Sequence, residues 1–199
     1  MASPPGRLPK GSNFSGRPPL APLHETILRL ERGGVACALG GSGLLMAFGL
    51  AGSVRDWDLT TDLPIERVRL ALGDLPHELH GPADLHADSK LRMAGGMIEL
   101  IVGFAIRTDR TVVRLPTRVS IRWRGTPVGS PEVWAAAYAL MGRSEKSSLL
   151  FGLLADRGAD PSAIAVLLEQ PLPRDLAARL DALPRRALGQ PGPFRLADP

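Results

Sequence analysis

From residue 33 to residue 54 the chain runs 22 residues without a charged side chain, and seven of those residues are glycine. The length alone would cross a bilayer. The glycines, with Ser42 and Ser53, instead divide the run into two short apolar pieces around a glycine turn, the pattern of a buried strand, a tight turn and a buried helix. The run predicts a strand over residues 35–39 and a helix over residues 42–50, and no membrane span. The first thirty residues hold no continuous apolar stretch of the kind a secretory signal needs.

Beyond this run, Ala51-Gly52-Ser53 turns the chain into a strand predicted over residues 55–60. Side chains alternate across a strand, so Asp56 and Asp58 face the same way and can share a divalent cation. Thirteen residues separate Ser42 from Asp56. A glycine turn that opens an apolar helix offers free backbone N–H groups and a positive helix end, which favour a phosphate. A P-loop reading fails because no Lys-Ser or Lys-Thr follows the second glycine. A dinucleotide fingerprint starting at Gly41 fails because Met46 stands where the third glycine belongs. Taken alone, the turn also suits a strand-to-helix connection without a ligand.

The remainder divides by texture. Residues 1–22 carry six prolines among Gly and Ser, a composition that buries too little apolar surface to order itself, and are read as a flexible leader. Helices are predicted over 24–32 and 64–72, and strands over 75–79 and 89–93. A hairpin at Gly95-Gly96 leads into 97–104, with further strands over 112–115 and 119–123. Ser130 then reads as an N-cap with Pro131 at the first helical position, opening helices over 133–140, 145–157, 161–169 and 174–183. An α/β domain over 23–128, a helical region over 129–184 packed on it and a loose tail over 185–199 follow from this reading.

Of 24 basic residues against 20 acidic ones, 21 are arginine. That bias suits phosphate recognition, and it also accompanies any arginine-preferring composition. Cys37 is the single cysteine, which excludes an intramolecular disulfide and a cysteine metal cluster and fits a reducing cytoplasm. His24, His77, His80 and His86 match no zinc spacing and are read as surface residues. Glu99 is the only charge between residues 94 and 106. A carboxylate in such a strand needs a cation or a donor, and pairing with Arg92 competes with a functional role. Asp109 sits in a polar turn, Asp62 suits the N-cap region of the helix after Pro64, and Trp57 should point into the core, opposite the aspartates.

Leu39-Gly40-Gly41-Ser42, a short helix and Asp56-Trp57-Asp58-Leu59 together resemble the signature of the DNA polymerase beta-type nucleotidyltransferase superfamily. The likeness is greatest to its small bacterial minimal and toxin-type members and extends over residues 35–156. It implies a mixed β-sheet with flanking helices and a third carboxylate on a neighbouring strand, for which Glu99 is the candidate. It further implies Mg²⁺ or Mn²⁺ held by Asp56, Asp58 and Glu99, a role for Glu99 as proton acceptor, and Gly41 with Ser42 holding the triphosphate of an NTP. Gly142, Arg143 and Lys146 match the family's later helix, making Arg143 and Lys146 phosphate ligands. Tyr138 and Ser147 stand where relatives carry lysine and aspartate, and Gly52 and Val54 where they carry arginine and threonine. Arg55 could replace the lost charge, but strand alternation would send it to the other face. The implied activity moves an NMP from an NTP to a hydroxyl of tRNA, protein or a small molecule, with a toxin–antitoxin partner possible. The alternative is a non-catalytic or antitoxin-like module that keeps the fold.

Overall fold

The computed structural model describes residues 17–80, 87–108 and 111–186. Along the chain lie α1 (Leu20–Arg32), β1 (Ala38–Leu39), α2 (Gly41–Ala47), β2 (Trp57–Thr61), α3 (Ile65–Leu72), β3 (His77–His80), β4 (Ser89–Met93) and β5 (Ile98–Val102). They are followed by β6 (Ala105–Arg107), β7 (Val112–Arg114), β8 (Val119–Trp123), β9 (Thr126–Gly129), α4 (Pro131–Leu140), α5 (Ser144–Arg157), α6 (Pro161–Leu168) and α7 (Arg174–Asp181). Seven strands form a mixed sheet in the order β3-β4-β5-β2-β1-β9-β8, and β6 pairs with β7 apart from it. β2 runs parallel to β5 and β1 parallel to β9, whereas the other neighbours are antiparallel.

Register separates the two faces of this sheet. Leu59, Leu100 and Leu91 stand opposite one another on β2, β5 and β4, all fully buried. With Trp57 they share one core with Leu23, Ile27 and Leu30 of α1 and Val68 and Leu72 of α3. The alternate residues Asp58, Glu99 and Arg92, also in register, put charge on the other face. α4 is buried from Pro131 through Tyr138. Its N-cap is Ser130, whose Oγ accepts from the Val133 N–H at 3.2 Å, as the sequence predicted. Buried Glu132 accepts from the Asp160 N–H at 2.8 Å, tying the start of α4 to the start of α6.

Several boundaries differ from expectation for identifiable reasons. α1 begins at Leu20, inside the expected leader, because a proline in a first helical turn forfeits no intrahelical hydrogen bond. α2 stops at Ala47 rather than residue 50: Gly49 turns to φ +73° and the Leu50 N–H closes on the Leu45 carbonyl. Asp62 does not cap α3, since Pro64 is the N-cap, and both Asp62 oxygens accept from the Thr117 N–H, at 3.0 and 2.9 Å. β6 and β9 were not expected; β9 contains Pro127, which has no N–H to give a ladder, yet it lies in the sheet interior beside β1. Residues 185 and 186 of the expected tail are docked, with the Arg186 N–H donating to the Ala159 carbonyl at 2.8 Å. Most of the leader, most of the tail, His86 and Asp109 lie outside the described residues. No helix among the described residues is long and apolar enough to cross a membrane.

Candidate active site

The end of β1 and the start of β2 meet at Gly40, whose N–H donates to the Asp58 carbonyl at 2.7 Å. The next residue, Gly41, has φ +54°, and a Cβ there would lie 1.8 Å from Asp58 Oδ2. Glycine is needed at this point for two reasons, a left-handed backbone and the carboxylate that occupies the side-chain position. The glycine turn thus abuts the second aspartate of the acidic pair directly.

Burial pushes the Asp58 carboxyl up to about 7 from its ordinary 3.8, and the negative charges of Asp56 and Glu99 push it the same way. Lys90 and Arg143 pull it back. No hydrogen bond reaches this carboxylate among the described residues. Asp56 does not stand on the strand, because β2 begins at Trp57; it lies in the bend just before, close enough for its charge to act on Asp58. Arg55, exposed in the same bend, contributes to lowering Lys146.

Across the site, Lys146 Nζ donates to Ser42 Oγ at 3.1 Å over 104 residues of chain. The ammonium lies 5.4 Å from the centroid of the Tyr138 ring, a cation–π contact. Burial and the nearby Arg143 hold Lys146 below its ordinary value, opposed by Asp58. Tyr138 is fully buried, and its hydroxyl meets no hydrogen-bond partner among the described residues. Arg143 is exposed at the start of α5, and its charge reaches both Asp58 and Tyr138. α2 has only seven residues, so the positive end of a helix adds little here.

Glu99 faces Asp58 in register across the β2–β5 pair. Its own carboxylate is turned to β4, where Lys90 Nζ lies 3.0 Å from Oε2 and Arg92 Nε 3.3 Å from Oε1. Among the described residues no three His, Cys, Asp or Glu side chains converge on a position that could hold a metal. Asp56 and Asp58 do suit a hard divalent cation. Both are oxygen donors, and a half-buried carboxylate beside a second carboxylate is relieved by positive charge. The pairing with Arg92 that the sequence offered is present, and the signal that sequence reading missed was Lys90, two residues earlier on a strand that the Gly95-Gly96 hairpin folds against Glu99. Buried Cys37 has its thiol pushed up to about 12, mainly by burial, and is no nucleophile.

No protein-family profile and no curated protein matches the sequence. Solved structures do match. The antibiotic-resistance factor ANT(2″)-Ia in solution is 15% identical with a TM-score of 0.50, over 74% of this chain and 88% of that one. A protein from Thermotoga maritima named in its structure as a nucleotidyltransferase is 22% identical with a TM-score of 0.48, over 68% of this chain and 91% of that one. The likeness is one of fold, and the chain has the nucleotidyltransferase fold.

Proposed function

We propose that this chain is a metal-dependent nucleotidyltransferase that moves an NMP from an NTP to a hydroxyl of an acceptor. The observation that supports it most is the junction of two half-sites. The Asp58 carboxylate presses on Gly41, and the next residue, Ser42, is bonded to Lys146. A cluster of acidic groups thus sits one residue from a cluster of basic ones. Phosphoryl-type transfer needs both, since charge develops on the reacting and departing oxygens.

Asp56 and Asp58 would hold Mg²⁺ or Mn²⁺, which when bound screens those oxygens. Ser42, Lys146 and Arg143 hold the departing phosphates, with Arg55 adding to the positive potential. Gly41 leaves room for the carboxylate. Glu99 is the carboxylate to which the acceptor hydroxyl passes its proton. Lys146→Ala is expected to weaken NTP binding about tenfold, the loss of one charge-assisted hydrogen bond, with the melting temperature nearly unchanged. Titration of a fluorescent NTP analogue checks it.

The test of the whole reading is transfer of label from each α-labelled NTP, with Mg²⁺, to total tRNA, lysate protein or small polyhydroxylated molecules. Transfer by the native chain is expected with one of these acceptors. The engagement of Glu99 by Lys90 and Arg92 favours the second reading, a non-catalytic module on the same fold. No transfer to any acceptor together with no NTP-dependent rise in melting temperature would decide for that second reading.

A further inference from the structure

β4 places two cations beside the acidic pair. Arg92 stands opposite Glu99 across the β4–β5 ladder, and Lys90, two residues before, shares its face. On the far side of Glu99 stands Asp58. Crossing from β4 through β5 to β2, one face therefore carries two cations, a carboxylate and a second carboxylate. Both oxygens of Glu99 are engaged by the cations, and the stronger engagement is with Lys90, at 3.0 Å. The side chain of Lys90 is 13% exposed, against 52% for Arg92. An ammonium so far out of water stays charged only beside compensating negative groups. Its field extends to Asp58, where it opposes the effect of Asp56 and Glu99.

We propose that the Lys90 ammonium is the resident cation on the Glu99 side of the site, so that Glu99 is no metal ligand and the chain loads a single divalent ion, on Asp56 and Asp58. The inference rests on the nucleotidyltransferase reading above and narrows it. A cation tethered to a strand supplies fixed positive charge at the carboxylate to which the acceptor proton goes, and its presence does not depend on metal concentration. Two divalent ions at these distances would set one of them against the Lys90 ammonium, and like charges a few ångströms apart in a partly buried site repel strongly. Lys90 is in this account a positioning residue, acting through Glu99.

The test counts ions in the full chain by native mass spectrometry, with Mn²⁺ and a non-hydrolysable α,β-methylene NTP analogue. The native chain with one analogue is expected to carry one Mn²⁺. Lys90→Met frees Oε2 of Glu99, leaving Arg92 on Oε1, and is expected to add a second. Lys90→Met combined with Glu99→Gln removes the pair together and is expected to return the count to one. A native count of two that falls to one in Glu99→Gln would overturn the inference while leaving the enzyme reading intact. A native chain that binds neither analogue nor Mn²⁺ would overturn the enzyme reading itself. Should Lys90→Met fail to fold, the double variant decides, because a Glu99 that ligates metal would lose an ion there and a Glu99 that does not would lose none.

Discussion

Asp58→Asn is expected to abolish nucleotidyl transfer, by about three orders of magnitude or more, and at the same time to make the protein more stable at neutral pH. The first effect follows from losing the member of the acidic pair that sits against the glycine turn. The second follows from the raised carboxyl. The folded chain keeps a proton on Asp58 up to about pH 7, whereas an ordinary aspartate releases it near 3.8. Between those values the unfolded state binds fewer protons than the folded one, so native stability falls as pH rises and is level above about 7. Asparagine has no proton to lose and escapes that fall. The three-unit span bounds the difference at about 4 kcal/mol, and relaxation around the ionised group reduces it to roughly 2 kcal/mol, about 5 °C in melting temperature for a chain of this size. Melting curves at pH 4 and pH 8 check it. The gain should be present at pH 8 and absent at pH 4, and equal melting temperatures at pH 8 would remove the burial argument.

Gly41→Ala should be the other severe change. A Cβ at this position meets the Asp58 carboxylate at 1.8 Å, and the backbone is at φ +54°. The left-handed conformation costs an alanine about 1 kcal/mol and the displaced carboxylate adds a similar amount, while activity falls by about two orders of magnitude as Asp58 moves. A double-mutant cycle separates the two terms. In an Asp58→Ala background the carboxylate is gone, and Gly41→Ala should cost only the backbone term, read from denaturant unfolding. Additive losses would show that the two residues do not meet.

Local chemistry made much of this legible beforehand. The uncharged run with its glycines became a strand, a turn and a helix. Ser130 and Pro131 opened a helix as their caps and fixed dihedrals dictate, Gly95-Gly96 folded β4 onto β5, and Trp57 went into the core. Each of these is decided within a few residues of chain. β9 was not legible, because Pro127 speaks against a strand locally and only the presence of β1 beside it provides a partner. Asp56 lies in a bend before the strand, outside the run to which alternation applies.

Residue types and spacing alone determined that a glycine turn precedes an acidic pair and that Glu99 needs a compensating charge. They could not say which charge. Glu99 had Arg92 within a few residues as a candidate, but the hairpin register brought Lys90 to 3.0 Å as well and turned the carboxylate toward β4. Ser42 and Lys146 lie 104 residues apart, and only the docking of α5 joins them. A local sequence specifies short-range geometry through dihedral preference and periodicity. Which distant charges share one desolvated space is set by packing the whole core, and the chemistry of this site depends on that space.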